Sequence, residues 1–125
     1  METWSEVRKY ILNYYSAEYD EEKDALVIEE VIFKNLRSQR VFVTRIDDYI
    51  MFFSRIGEIN RNDLLDILTD DDLLYCLKRN ENGDYFLAQF FSINVISEKL
   101  IDETIPNIAK SADDIERKYI GEDAF

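Results

Sequence analysis

The sequence predicts an α+β domain in which a twisted antiparallel sheet is packed by an N-terminal and a C-terminal helix. Two observations favour this class. Apolar residues recur at helical intervals at both ends of the chain, and five apolar runs rich in β-branched and aromatic residues lie between. The predicted element order is αβββαββα. The length fits one domain, 1–125, and no linker, repeat or low-complexity segment divides it.

The first element is predicted as an amphipathic helix from Thr3 to about Tyr15. Thr3 and Glu6 have the spacing of a capping box, in which the two residues satisfy each other's backbone donors. The apolar positions that recur at helical intervals are Trp4, Val7, Ile11 and Tyr14.

Three strands are predicted next, over Ala25–Phe33, Arg40–Ile46 and Tyr49–Ile56. The breaks between them are short, which is typical of a meander of antiparallel strands. In the third run both alternating sets of side chains are largely apolar. We therefore expect one face of the sheet to meet the helices and the other to be available to a second subunit.

A short helix and a hairpin follow. Asn60 to about Leu68 is predicted as the helix, with Asn60 or Asn62 as its N-cap. The runs Leu73–Arg79 and Tyr85–Ser92 flank a turn over 80–84, whose Asn and Gly residues tolerate positive φ.

The last element is predicted as a long helix from Ser97 to about Ile120, with Gly121 as a stop signal. Its apolar positions keep their helical phase across Pro106, which favours one helix kinked at that residue. Two helices broken at Ile105–Pro106 are the alternative.

Composition and charge exclude several classes of function. The net charge is −12, with 27 carboxylates against 15 scattered cations, which disfavours nucleic acid and an anionic membrane surface. No stretch approaches the ~20 apolar residues of a membrane span, and the opening residues do not resemble a signal peptide. The chain has one cysteine and so cannot form an internal disulfide, and nothing else ties the fold to an oxidising compartment. We therefore expect a cytoplasmic protein.

Little in the sequence indicates a catalytic or metal-binding site, because the chain has no histidine. Cys76, which lies in an apolar strand pattern, is interpreted as a packed core or interface thiol rather than a nucleophile. Asp70-Asp71-Asp72 could bind a hard cation but lacks the spaced calcium-loop motif, and a solvated turn is the favoured interpretation. Asp20-Glu21-Glu22 and Glu29-Glu30 are interpreted likewise, with Glu29-Glu30 as a possible protected strand edge. We expect no cofactor, no metal and no enzyme activity.

The aromatic residues are more numerous than one face of a five-stranded sheet normally buries. Some of them should therefore lie at an interface or groove, with a homodimer as the first candidate. The residues proposed for this interface are Tyr49, Met51, Phe53, Tyr85, Phe90 and Phe91.

Local sequence and element order together resemble a known group of proteins. Arg37-Ser38-Gln39-Arg40-Val41-Phe42-Val43 and Asp84-Tyr85-Phe86-Leu87 resemble the second-strand entry and the last hairpin of the YbjN family, and Ala112-Asp113-Asp114-Ile115-Glu116 resembles its final helix. The αβββαββα order is similar to the fold that this family shares with type III secretion class I chaperones. The resemblance implies a homodimeric, non-enzymatic protein whose relatives hold partly unfolded segments, and it transfers no binding residue.

The expected function is binding of a peptide or protein partner, with carboxylates around an apolar surface selecting basic sequences. The alternative is a stress-related regulatory or immunity-type protein that occludes one specific partner. A carboxylate-based hydrolase is a third class, which would need two acids converging in a cleft.

Overall fold

The computed structural model describes residues 1–32, 37–70 and 75–120. The elements run in the order α1 (Trp4–Tyr14), β1 (Ala17–Asp20), β2 (Ala25–Ile32), β3 (Arg37–Ile46), β4 (Tyr49–Gly57), α2 (Arg61–Leu68), β5 (Cys76–Arg79), β6 (Tyr85–Ser92), a 3₁₀ turn (Ile93–Val95) and α3 (Glu98–Tyr119). The α+β class and its two covering helices are confirmed.

The strands form one antiparallel sheet in the order β1-β2-β3-β4-β6-β5. β2, β3 and β4 are the predicted meander. The connection through α2 then places β6 beside β4 and leaves the four-residue β5 at the edge. Phe33, Leu73 and Leu74, which were predicted in strands, lie outside the described residues.

Within the described residues the sheet has six strands where the sequence predicts five, because the polar segment before β2 contains β1. β1 pairs with the first half of β2, in the register Ala17↔Ile28 to Asp20↔Ala25. Its sequence carries two acidic residues in four, and only Ala17 and Tyr19 pack against the core. A short edge strand of this kind shows almost no apolar pattern.

One face of the sheet forms the core with the two long helices. Strand residues such as Ile50, Phe52 and Ile56 alternate into this face and are fully buried. The helices contribute Trp4, Val7, Ile11, Ile101, Ile105, Ile108, Ala109 and Ala112 to the same cluster. This face of the sheet is called the inner face below.

α1 begins where the sequence predicts. Thr3 is the N-cap, and its hydroxyl oxygen accepts from the backbone N–H of Glu6 at 3.2 Å. The return bond differs from a full capping box, because the Glu6 carboxylate accepts from the backbone N–H of Glu2 at 3.3 Å and from the Thr3 hydroxyl.

α3 passes through Pro106 as one helix of 22 residues, so the interpretation as two separate helices is wrong. Ser97 caps its first turn by accepting from the backbone N–H of Leu100 at 3.1 Å. Burial of one continuous apolar face over 22 residues outweighs the loss of the hydrogen bond that proline cannot donate.

Two carboxylates connect α1 to the rest of the fold. Asp24 accepts from the Trp4 indole Nε1–H at 2.9 Å and from the Tyr19 hydroxyl. Asp102 on α3 accepts from the Tyr10 hydroxyl at 2.9 Å and from the Tyr15 hydroxyl at 2.5 Å. Its carboxylate raises the pKa of Tyr10 to about 12, because the phenol that donates to it resists losing its proton.

Candidate functional site: the outer face of the sheet

The face of the sheet opposite α1 and α3 is called the outer face. Strand alternation and the register between strands decide which side chains it carries, since directly paired residues point to the same side. Phe42 pairs with Phe53, Met51 with Phe90, and Arg55 with Phe86. None of the helices in the described ranges contributes a core contact on this side, and these side chains are partly exposed.

Three of the phenylalanines on the outer face form a contiguous aromatic row across β3, β4 and β6. The Phe42 and Phe53 rings stack with centroids 5.1 Å apart, and the Phe53 and Phe86 rings meet edge to face at 5.7 Å. Such contacts between rings stabilise their relative orientation. The row is therefore an ordered apolar surface that still reaches solvent.

The aromatic row forms the floor of an open groove, called the outer groove. One part of it, about 440 Å³, lies between the β1–β2 turn and the β5–β6 turn, and a smaller part of about 150 Å³ lies beside β5. Phe53, Asn80 and Phe86 line both parts. The residues lining the two parts are Lys23, Ala25, Phe42, Thr44, Met51, Phe53, Arg55, Lys78, Arg79, Asn80, Asn82, Asp84, Phe86 and Ala88.

The charges along the outer groove differ from the expected rim of carboxylates. Four cationic residues line it, Lys23, Arg55, Lys78 and Arg79, and among the described residues the one carboxylate in its lining is Asp84. Asp84 is 8% exposed and pairs with the Arg55 guanidinium at 2.6 Å. The charged residues that line the groove are therefore mainly cationic, and the expectation of carboxylates at its rim stays a prediction.

The six residues proposed for an interface divide between the two faces. Tyr49, Met51, Phe53 and Phe90 lie together on the outer face, with Tyr49 52% exposed. Phe91 lies on the inner face, where its ring meets that of buried Phe52 edge to face at 6.0 Å.

Tyr85 also lies on the inner side, near the sheet edge. Its ring lies under the Arg79 guanidinium, 5.8 Å from the ring centroid. With Glu58, Ile59, Arg61 and other residues it lines a separate depression beside α2.

Phe42, Phe86 and Lys78 are among the residues of the outer groove that are missing from the six. Phe42 stands between two buried valines in β3, and only its pairing with Phe53 shows which face it occupies. Lys78 lies in β5, and its Nζ is 5.2 Å from the Phe90 ring centroid. The signal that could have identified all three is strand register, which a single sequence does not specify.

Cys76 is exposed on β5, so of its two interpretations the packed core thiol is wrong, and the interface thiol stays a prediction. It pairs with Ala88 at the edge of the sheet, where a strand has only one neighbour. The difference arises because β5 is a four-residue strand at the edge of the sheet, where an apolar sequence pattern does not ensure burial.

A second exposed apolar surface lies on α2. Leu65 and Leu68 are 57% and 56% exposed, one turn apart, while Ile67 is the helix residue that reaches the core side. We call this pair the α2 patch. It is separate from the outer groove, whose lining contains no α2 residue.

The acidic residues do not form a reactive pair in the outer groove. Asp113 and Glu116 are buried on α3 at 1% and 0% exposure, each has an interaction partner, and neither lines the groove. No group of three or more potential metal ligands occurs within 1–32, 37–70 and 75–120. Asp71 and Asp72 of the acidic run lie outside the described residues.

Glu29 and Glu30 lie where β2 extends past its partner β1. The pairing with β1 ends at Ile28, and on the other side Glu29 and Glu30 pair with Arg40 and Gln39 of β3. The Arg40 guanidinium contacts the Glu29 carboxylate at 2.7 Å. Burial raises the pKa of the Glu30 carboxyl above its usual value.

The fold is similar to three solved structures of bacterial proteins. The first is the Yersinia pestis type III secretion chaperone SycH, solved in complex with a stable fragment of YscM2 (17% identity, 89% of this chain and 97% of that chain covered, TM-score 0.63). The second is a chain of the heterodimeric ExoU–SpcU complex from the type III secretion system of Pseudomonas aeruginosa (9% identity, 91% of this chain and 98% of that chain covered, TM-score 0.64). The third is Escherichia coli YbjN, described as a proposed transcription regulator (12% identity, 91% of this chain and 88% of that chain covered, TM-score 0.61).

The chain has the fold of type III secretion chaperones and YbjN. The resemblance derived from its sequence is confirmed at the level of the fold. No family model and no curated protein matches the sequence. None of the helices in the described part of the chain is long and apolar enough to cross a membrane.

Proposed function

We propose that this chain is a non-enzymatic, cytoplasmic protein-binding domain spanning 1–125, which acts as a homodimer and holds a segment of a partner protein on its outer face. The observation that carries the proposal is the contiguous aromatic row of Phe42, Phe53 and Phe86, which no described helix covers. Ordered apolar surface that reaches solvent is typical of interaction sites. Two of the similar structures are complexes with protein partners, which supports the same role here.

The mechanism is burial of apolar side chains of the partner against the outer groove. Aromatic side chains in a groove bury much apolar area for little conformational entropy, and they dominate the binding energy of many interfaces. Because the sheet is fixed from behind by the core, the outer groove is formed before the partner arrives. Binding then costs little reorganisation of this chain.

The experiment is co-purification of partners from the native cell, followed by reconstitution with the partner that is identified. The double variant Met51→Ser/Phe90→Ser removes two outer-face side chains that are not in the core. We expect its affinity for that partner to fall at least about tenfold. Leu12→Ser, an exposed leucine on α1, is the matched control and should bind as wild type does. Equal loss in both variants contradicts the proposal.

For the homodimer we propose the α2 patch as the interface. Leu65 and Leu68 form a small exposed patch that can meet its own copy across a twofold axis. Sedimentation at micromolar concentration should show a dimer for the wild type and for Leu12→Glu, and a monomer for Leu65→Glu/Leu68→Glu. A wild-type monomer contradicts the homodimer. A dimer that only Met51→Ser/Phe90→Ser dissociates would assign the outer face to self-association instead.

A regulatory protein that occludes one partner would use the same surface. Similarity to YbjN supports this second candidate. The number of proteins that co-purify through the outer face separates the two: a single partner favours occlusion, and several clients favour a chaperone.

A further inference from the structure

We propose that the segment held in the outer groove is acidic, with carboxylates that lie at the β5 edge beside Lys78 while its apolar side chains pack on the aromatic row. The inference rests on the proposed function and adds to it the chemistry of the partner. It is the opposite of what the net charge of −12 predicts, which is a basic partner.

The cationic side of the groove lies at the β5 edge. Lys78 and Arg79 are exposed on β5, and within the described part of the chain neither forms an ion pair. Each lies near an aromatic ring instead, Lys78 over Phe90 and Arg79 over Tyr85. Among the described residues Lys78 has no ion-pair partner, so a carboxylate placed beside it over the groove would gain one. Arg79 also lines the groove, but its strand partner is Tyr85 and its guanidinium lies over that ring on the inner side.

Two other cations on the outer face are already matched. Arg55 pairs with Asp84 at 2.6 Å, and Arg40 pairs with Glu29 at 2.7 Å. These pairs leave little charge to attract a ligand in the middle of the sheet. The attraction is therefore concentrated at the β5 edge, at Lys78.

The opposite end of the groove is acidic. Lys23 lines it, but Asp20, Glu21 and Glu22 precede Lys23 in the same turn. This turn would repel an acidic segment, which therefore lies on the β6–β5 side. The floor there is Phe53, Phe86 and Ala88, continued by Met51. A segment that alternates acidic and apolar residues matches both Lys78 and this floor.

Cations beside exposed aromatic rings also occur on surfaces that bind single-stranded nucleic acid. Here that class is disfavoured, because one lysine at the β5 edge of a chain with net charge −12 cannot track a phosphate backbone. The carboxylates of a short protein segment, in contrast, can be attracted by the local positive charge of β5 alone. A single-stranded oligonucleotide is included in the test for this reason.

The test compares labelled peptides of about ten residues, long enough to span the groove in extended form. One peptide alternates Glu with Leu and Phe, the second has Lys in place of every Glu, and the third has Ser. Fluorescence anisotropy at low salt gives the affinities for the wild-type protein. We expect the Glu peptide to bind at least about tenfold more tightly than the Lys peptide, and the preference to weaken with salt.

Charge reversal locates the preference. Lys78→Glu should lose or invert the preference for the Glu peptide, whereas Lys110→Glu, at an exposed position on α3, should leave it unchanged. Cys76 is the chain's one cysteine and lies two residues from Lys78, so it provides a second readout. The Glu peptide should slow alkylation of the Cys76 thiol in the wild type and not in the charge-reversed protein.

Several results would overturn the inference: stronger binding of the Lys peptide, equal binding of all three peptides, binding of none, or tighter binding of oligo-dT. Equal loss of the preference in Lys110→Glu would overturn it as well. If the three peptides bind equally and Met51→Ser/Phe90→Ser weakens their binding, the proposed function stands and only the acidic chemistry of the partner is contradicted. The two failures are therefore distinguishable.

Discussion

At the scale of single residues, Asp24 connects three parts of the fold. It stands in the β1–β2 turn with φ of +50°, a conformation that Asp and Asn tolerate, and accepts from Trp4 on α1 and Tyr19 on β1. The hydrogen bonds from Trp4 and Tyr19 lower the pKa of the Asp24 carboxyl. The sequence gives no sign of this role, because the residue falls in an acidic turn that is expected to be solvated.

Asp24→Asn keeps the backbone conformation but removes the charge that strengthens these hydrogen bonds. We expect the free energy of unfolding at neutral pH to fall by about 1 kcal/mol. Urea unfolding measures it, with Asp48→Asn in the β3–β4 turn as the control.

The pH dependence of this difference has a definite sign. A carboxyl whose pKa is lowered by folding stabilises the fold above its unfolded pKa of about 4 and loses that contribution as the pH falls through its folded pKa. The difference between wild type and Asp24→Asn should therefore shrink in acid. A difference of the same size at neutral and acid pH would contradict this assignment.

At the scale of elements, the β5–β6 turn shows how far local sequence determines structure. Asn80 accepts from the backbone N–H groups of Asn82 and Asp84 through its side chain, both at 3.0 Å, and Gly83 has φ of +87°. The residue types in 80–84 predict such a turn without reference to the rest of the chain. The hairpin was accordingly predictable.

Gly83→Ala should destabilise the fold by about 1 kcal/mol or more, because an L side chain is strained at this φ. The added Cβ would also lie 3.3 Å from the Arg79 Nη2 atom. Thermal unfolding tests this, with Asn82→Ala as the control in the same turn. If both variants unfold at the wild-type temperature, the turn does not need the glycine.

Other elements could not be predicted from local sequence. β1 is stabilised by its pairing with β2, and its own residues read as a polar loop. The crossover that places β6 beside β4 also depends on tertiary packing. It brings Phe86 and Phe90 to the same face as Phe53 and Met51. The composition of the outer face follows from this pairing, which explains why only four of the six proposed residues lie on it.

At the scale of the whole molecule, charge and apolar surface are distributed unevenly. The net charge of −12 describes the chain as a whole, whereas the described residues that line the outer groove include four cationic residues and one paired carboxylate. Net charge therefore predicts solubility and the repulsion of polyanions better than it predicts the partner of one surface. The fold class was predictable because it depends on periodicity summed over long segments, and the groove was not because it depends on register.

The central claim is that the outer face, not the helical face, holds the partner. The most direct measurement is site-specific photo-crosslinking in the native cell, with the photoreactive amino acid at Met51 on the outer face or at Lys110 on α3. We expect the Met51 position to crosslink to a discrete partner protein, and the Lys110 position to give no such product. Crosslinking of the same partner from Lys110 and not from Met51 would contradict the account.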